Sequence, residues 1–306
     1  MTAYQVNDGP NLGAAQWSQD ATRCVRRAGM VKLCRRTQGS PAVMIAIVDG
    51  APYAEHPALR GTNLEVLRDG IGRDPPENDA ASSHATFLAS MFVASRNECL
   101  GLCPACRLMC IAAVDSAILK SDAHPRRAAE QISGGIMVAV ESGAQIIQIS
   151  LELGFGDASA AATLLATLHF CRSKSIVVVL AAGHGQLRRP NQLLWVPGVI
   201  PVFPSDESGN APYDQRWGTL MAVRGLSAPG TRIPGACLPT GVQLRIGSSF
   251  ACSFVSAAIA LQMAALPGLT AAQAAASLFL PRAAVFSSAY PQPLDVDQSF
   301  NQFKLN

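Results

Sequence analysis

The sequence predicts an α/β protein: one domain built on a mostly parallel central sheet with helices on both faces. Three observations carry that prediction. Residues 43–49 (VMIAIVD), 108–114, 144–150 (AQIIQIS) and 176–182 (IVVVLAA) are short, nearly continuous apolar runs, as strands covered on both faces require. Segments of helical period stand between them, at 83–94, 128–142 and 159–173, a spacing that suits parallel strands joined by crossover helices. Asp49, Ser150 and His184 fall at the carboxyl ends of predicted strands, the edge where open α/β sheets bind their ligands.

The elements follow in order. Residues 1–40 are more polar than the rest and read as an N-terminal extension to a domain over 41–306. Their basic residues (Arg23, Arg26, Arg27, Lys32, Arg35, Arg36) read as a solvated helix face. The first strand, 43–49, ends in Asp49. Residues 65–82 read as a loop, with the charged run Arg73-Asp74-Pro75-Pro76-Glu77. The helix 83–94 begins at a capping serine, Ser83, with His84 in its first turn. The strand 108–114 follows, then the helix 128–142, which stops at Gly143. Strand 144–150, helix 159–173 and strand 176–182 come next, the last running into Gly183-His184-Gly185. Shorter strands are expected at 199–203 and 225–227. A long helix, 249–265, leaves directly from the turn Gly247-Ser248, and a final helix over 270–278 is capped by Thr270. No repeat or low-complexity segment interrupts this order.

Composition narrows the function classes. Of 306 residues, 49% are hydrophobic and 15% charged, so a large core is available and disorder is not expected. A net charge of +3 is too small to point to nucleic acid. The apolar run 250–266 approaches membrane-span length, but Ser253, Ser256 and Gln262 interrupt it, and a central helix buried on all sides explains it better. The first residues, MTAYQVNDGPN, have neither a basic nor an apolar region of the kind a secretory signal needs, and a cytoplasmic protein is the default expectation. Nine cysteines form no regular disulfide framework. Cys99, Cys103, Cys106 and Cys110 are spaced so that four thiolates could hold zinc or an iron–sulfur cluster. The approach to the strand at 108–114 takes up Cys106 and Cys110, so buried free thiols or a single disulfide is the expected use, with no metal.

The chemistry gathers at Ser249. A hydroxyl at the N-terminus of a helix sits where outward-pointing backbone N–H groups favour developing negative charge, which a serine nucleophile's tetrahedral intermediate requires. Taken singly, Asp49 reads as a turn or cap, His84 as a helix N-terminal residue and Ser249 as an N-cap. Together they supply an orienting carboxylate, a base and a nucleophile, in the chain order Asp, His, Ser.

At this point several segments resemble the boxes of the subtilases, the subtilisin-like serine peptidases. AIVDG (46–50) with HPALRG (56–61) resembles their Asp box, and SHATFLASMFVA (83–94) their His box. GLCPACRL (101–108), GAQIIQISLELG (143–154), IVVVLAAGHG (176–185), VPGVIPVFPSD (196–206), LSAPGTRI (226–233) and GSSFACSFVSAAIAL (247–261) follow in the family's order. The chain order Asp49, His84, Ser249 is also that of the subtilisin triad. Among subtilases, the phrases VDG and HPALRGTNLEVL, the Cys-Arg-Leu approach to the strand and Trp217-Gly218 resemble the protease domains of cyanobactin maturation. Those enzymes remove leader or follower segments from ribosomally made peptides. No segment resembles the helical insertion of the macrocyclising branch, so the resemblance implies simple proteolysis.

The resemblance implies Ser249 as nucleophile, His84 as general base and acid, and Asp49 as the residue that fixes the tautomer of His84. It places the oxyanion donors at His184 and the backbone N–H of Ser249, and substrate-backbone pairing at Ser150 and Leu151. It implies a peptide or precursor-protein substrate and no cofactor, apart from structural calcium, for which no loop shows clear ligand spacing.

Departures from the family pattern cluster at this site. His184 stands where the oxyanion asparagine is usual, Ala85 and Phe87 replace a Gly and a second His, Glu152-Leu153 replace the Gly-Gly of the cleft, and Ser253 replaces a Pro. Glu152 either selects a basic substrate side chain or fills the first specificity pocket. The leading expectation is therefore a serine endopeptidase with a narrow substrate. The alternative is a pseudoprotease, or a repurposed acyl-transfer or binding protein, with an altered oxyanion hole.

Overall fold

A computed structural model describes residues 14–68, 79–95, 99–117, 125–151, 158–183, 192–212, 224–279 and 290–304. In chain order its main elements are α1 (Ala14–Arg27), α2 (Val31–Arg36), β1 (Met44–Asp49), β2 (Leu64–Leu67), α3 (Ala80–Val93), β3 (Arg107–Ala112), α4 (Pro125–Glu141), β4 (Ile146–Ile149), α5 (Ala158–Ser173), β5 (Val177–Ala181), β6 (Val199–Ser205), β7 (Leu226–Pro229), β8 (Ile233–Ala236), β9 (Val242–Arg245), α6 (Ser248–Ala265), α7 (Ala271–Ser277), β10 (Gln292–Pro293) and α8 (Val296–Asn301). Eight strands form one sheet in the order β10-β7-β6-β5-β4-β1-β3-β2, and every neighbouring pair in it is parallel. β8 and β9 make a separate antiparallel hairpin. The strand order reverses beside β1, which lies between β3 and β4, so the chain leaves a crevice at the carboxyl ends of these strands.

The predicted three-layer arrangement is present, and strand alternation produces it. In β1, Ile45 and Ile47 face one core while Met44, Ala46 and Val48 face the other. The first core holds residues of α1, α2, α3, α6, α7 and α8, and the second is closed by α4 and α5. Both faces are covered, which is why these strands read as continuous apolar runs instead of alternating ones. α6 is the one helix among the described residues long and apolar enough to cross a membrane, and 78% of its 18 residues are buried within the fold. It lies across β4, β5, β6 and β7 as the spine of the first core.

Several expectations shift. α3 begins at Ala80, and its cap is Asp79, whose carboxylate accepts the Ser82 N–H at 2.9 Å. Ser83 is therefore inside the helix and His84 lies in its second turn. The span read as a loop after Glu65 contains β2, which pairs with β3 at the sheet edge. The hairpin β8–β9 has no counterpart among the predicted elements; its strands are short, and Pro234 and Gly235 lower their strand signal. α1 and α2 are amphipathic, and Cys24, Ala28, Met30 and Leu33 from this region enter the first core. The Thr270 cap is present as a full capping box with Gln273.

Candidate active site

β1 delivers Asp49 to the carboxyl edge of the sheet, and α3 passes over that edge with His84 on its inner face. The two elements come this close because residue 50 is glycine: a Cβ there would lie 2.6 Å from the backbone carbon and oxygen of Ala81. The contact brings His84 Nδ1 to 3.0 Å from Asp49 Oδ1 and 3.1 Å from Oδ2. Asp49 Oδ1 also accepts the Gly50 N–H at 2.8 Å. Both side chains are buried, Asp49 at 1% and His84 at 3% exposure. A carboxylate in that setting is held by its hydrogen bonds, and its place opposite Nδ1 favours the tautomer that leaves Nε2 free of a proton.

Gly247 precedes the first turn of α6, and Ser249 is that helix's second residue. Ser249 is partly exposed, unlike its buried neighbours Ser248 and Phe250. Its hydroxyl donates to the carbonyl oxygen of Ser150 at 2.7 Å. The Ser150 hydroxyl in turn donates to the Ser249 carbonyl at 3.3 Å. Ser248 accepts the Gly183 N–H at 3.2 Å and so ties the helix start to the end of β5. The structure thus brings Asp49 into contact with His84, and Ser249 into contact with Ser150. Leu151 is buried beside Ser150. His184 and Glu152 lie outside the described residues, as do Leu153 and Trp217-Gly218.

Phe250 links the two halves of the site. Its ring lies 5.6 Å from the His84 ring and 4.6 Å from that of Phe87. Phe87, one turn along α3 from His84, is fully buried and packs against Gly235, where a Cβ would meet its ring at 2.6 Å. The guanidinium of Arg245 lies over the Phe87 ring at 4.9 Å and donates to Ser83 Oγ at 2.6 Å. Neither Arg245 nor Ser83 is among the site residues expected from the sequence. Their pairing joins β9 to α3, a contact between residues 162 positions apart that no local pattern marks. Gln148 is a further residue the sequence reading missed, although a carboxamide inside an apolar strand is a visible signal.

The four clustered cysteines are buried thiols. Hydrogen bonds from Cys103 and from the Ser40 backbone lower the Cys106 thiol below its ordinary value despite burial, whereas burial raises that of Cys110. Among the described residues no group of three or more His, Cys, Asp or Glu side chains is arranged to hold a metal ion.

This arrangement on a parallel sheet has counterparts among known proteins. The profile of the subtilase family, Peptidase_S8, matches residues 40–300. The chain belongs to the subtilase family. It is a serine-type endopeptidase by that membership. The protease domain of PatA, also described as the patellamide maturation protease, is 27% identical, with a TM-score of 0.71 over 87% of this chain and 96% of that one. The prenylagaramide maturation protease PagA is 24% identical, with a TM-score of 0.70 over 89% of this chain and 98% of that one. The PatG macrocyclase in complex with peptide shares the fold at 19% identity and a TM-score of 0.69, over 78% of this subtilase and 81% of that chain. No curated protein matches the chain significantly. The subtilase boxes read from the sequence therefore fall in a subtilase fold, and its structural relatives include maturation proteases.

Proposed function

We propose that this subtilase cleaves a narrow class of peptide substrate, a segment of a ribosomally made precursor. Ser249 is the nucleophile, His84 the general base and acid, and Asp49 the group that orients His84 and stabilises its charged form. The bidentate contact between Asp49 and His84 Nδ1 carries this reading. It leaves Nε2 as the nitrogen that accepts the serine proton, and the helix start that bears Ser249 faces the same edge of the sheet. The substrate class rests on the PatA and PagA likeness and on the family departures at the cleft.

The steps follow from the atoms present. The Ser249 hydroxyl proton, donated to the Ser150 carbonyl at rest, turns toward His84 Nε2. The oxygen attacks the scissile carbonyl as Nε2 takes the proton. The negative charge that develops is met by the Ser249 backbone N–H at the N-terminus of α6, whose first N–H groups have no partner within the helix. His84 then protonates the leaving amine, and water repeats the sequence on the acyl-enzyme. Asp49 stabilises the imidazolium in both halves. The edge at Ser150 and Leu151 offers backbone groups for an added substrate strand, and His184 is the proposed second oxyanion donor.

Fluorophosphonate labelling of the intact chain tests the reading without a known substrate. Labelling of the wild type and its loss in Ser249→Ala is the expected result. A folded wild-type protein that takes no label would remove the nucleophile assignment and favour the binding-protein alternative. Cleavage of short precursor peptides encoded near the gene then tests the substrate class.

A further inference from the structure

Gln148 sits in β4 with no exposed surface, on the face of the sheet that packs against α6. A carboxamide there is costly unless its N–H and C=O groups find partners. It finds them in serines. Its Nε2 donates to Ser150 Oγ at 2.8 Å and to Ser253 Oγ at 3.2 Å, and its Oε1 accepts from Ser256 Oγ at 2.8 Å. Ser249, Ser253 and Ser256 are spaced four and then three residues apart and so share one face of α6. The donors run in one direction: Ser256 hydroxyl to Gln148 oxygen, Gln148 amide to Ser150 hydroxyl, Ser150 hydroxyl to Ser249 carbonyl. The chain ends on the backbone of the proposed nucleophile. It also anchors the residue whose own carbonyl holds the Ser249 hydroxyl at rest.

We infer that Gln148 is a positioning residue for Ser249, acting through Ser150. By occupying the acceptor side of the Ser150 hydroxyl, its amide directs that hydroxyl's single proton to the Ser249 carbonyl. The link locks the end of β4 to the first turn of α6, so the nucleophile and the substrate-pairing edge keep a fixed separation. A chain of bonds in low dielectric, each polarising the next, resists the shift better than isolated pairs do. Generic cohesion between a strand and a helix could be supplied by leucine or valine; a polar chain that terminates at the reacting residue supplies direction. This inference rests on Ser249 being the nucleophile.

The test is the saturation kinetics of fluorophosphonate labelling on the full chain, giving the maximal labelling rate and the half-saturating probe concentration across pH. The variants are Gln148→Met, which keeps length and removes the donors, Ser256→Ala, and the two combined, with melting temperatures measured alongside. A displacement of the nucleophile by a fraction of an ångström to an ångström lowers the rate by about tenfold to a hundredfold. Gln148→Met is expected to lower the maximal rate by that factor, well below its melting temperature, with half-saturation changed by less than about twofold and the pH midpoint unmoved. Ser256→Ala is expected to lower it less, and the double variant no further than Gln148→Met alone, because both act through one chain. A folded Gln148→Met protein that labels at the wild-type rate would overturn the inference, as would single effects that multiply in the double variant. Should Gln148→Met fail to fold, a wild-type rate in Ser256→Ala overturns it. Wild-type protein that labels while Gln148→Met is unaffected leaves the nucleophile assignment intact, whereas absence of label in the wild type defeats both.

Discussion

Asp49→Asn isolates the electrostatic role of the carboxylate from its place in the fold. Asparagine has the same shape, and the Gly50 N–H that bonds Oδ1 at 2.8 Å keeps the amide oxygen at that position. The NH2 group then falls where Oδ2 faces His84 Nδ1 at 3.1 Å. An N–H opposed to an N–H at 3.1 Å is repulsive and offsets the bond that the retained oxygen still offers Nδ1–H at 3.0 Å. The imidazole therefore loses its preference for the Nδ1 proton and populates the tautomer protonated at Nε2, the nitrogen that has to accept from Ser249. The attraction lost by the imidazolium adds to this. Two unit charges about 4 Å apart at an effective dielectric constant of about 20 interact by about 4 kcal/mol, or about a thousandfold in rate. Adding the wrong tautomer brings the expected loss to about ten-thousandfold, the size seen when a triad aspartate becomes asparagine elsewhere. The assay is the second-order rate of fluorophosphonate labelling near neutral pH, with circular dichroism to show an unchanged fold. A folded Asp49→Asn protein that labels within about tenfold of wild type would refute the assignment, since a buried carboxylate in bidentate contact cannot be that dispensable to a base it orients.

Gly50→Ala pushes β1 and α3 apart, because the new Cβ would meet the Ala81 backbone at 2.6 Å; melting and labelling should both fall, by about 1–3 kcal/mol and about a hundredfold, and a variant with wild-type melting and labelling would show that the close approach is not what sets the Asp49–His84 contact. Stability should also fall at alkaline pH: burial raises the Cys24 thiol from 9.0 to about 12, so its contribution is complete below pH 9 and is lost as the pH rises toward 12, at about 1 kcal/mol per pH unit, because only the unfolded chain releases that proton. Thermal melts between pH 8 and 11 should show this decline, and Cys24→Ala should make it shallower; an equal slope in the variant would contradict the assignment.

Much of the fold could be read from residues adjacent in sequence. The strands β1, β3, β4 and β5 are apolar on both faces, Gln148 of β4 apart, because α4 and α5 cover one side and α3 and α6 the other, and that demand is written into each strand by itself. α6 was legible from its length and from the small-residue turn before it. The start of α3 was less so: Ser83 and Asp79 are both good caps, and the choice went to Asp79, whose second carboxylate oxygen also accepts the Ser116 N–H at 3.2 Å from across the chain. The hairpin β8–β9 left little local trace, and its place is set by contacts with α3, through Phe87 against Gly235 and Ser90 bonded to the Ala236 N–H at 2.9 Å.

The site divides in the same way. Asp49, His84 and Ser249 could be chosen from the sequence because each stands in a short segment whose composition suits a single chemical role. Asp49 is a carboxylate at a strand end, His84 an imidazole on a helix, and Ser249 a hydroxyl at a helix start. Their residue types and chain order were thus determined by the sequence alone. What only the tertiary structure decided is which atoms meet: the seating of His84 Nδ1 across both Asp49 oxygens, the resting bond from Ser249 to the Ser150 carbonyl, and the chain from Ser256 through Gln148 to Ser150. Those contacts join residues 35, 99 and 108 positions apart. Hydrogen bonds depend on a few tenths of an ångström and on angle, and at such separations that precision comes from how the sheet, α3 and α6 pack, which no local pattern specifies.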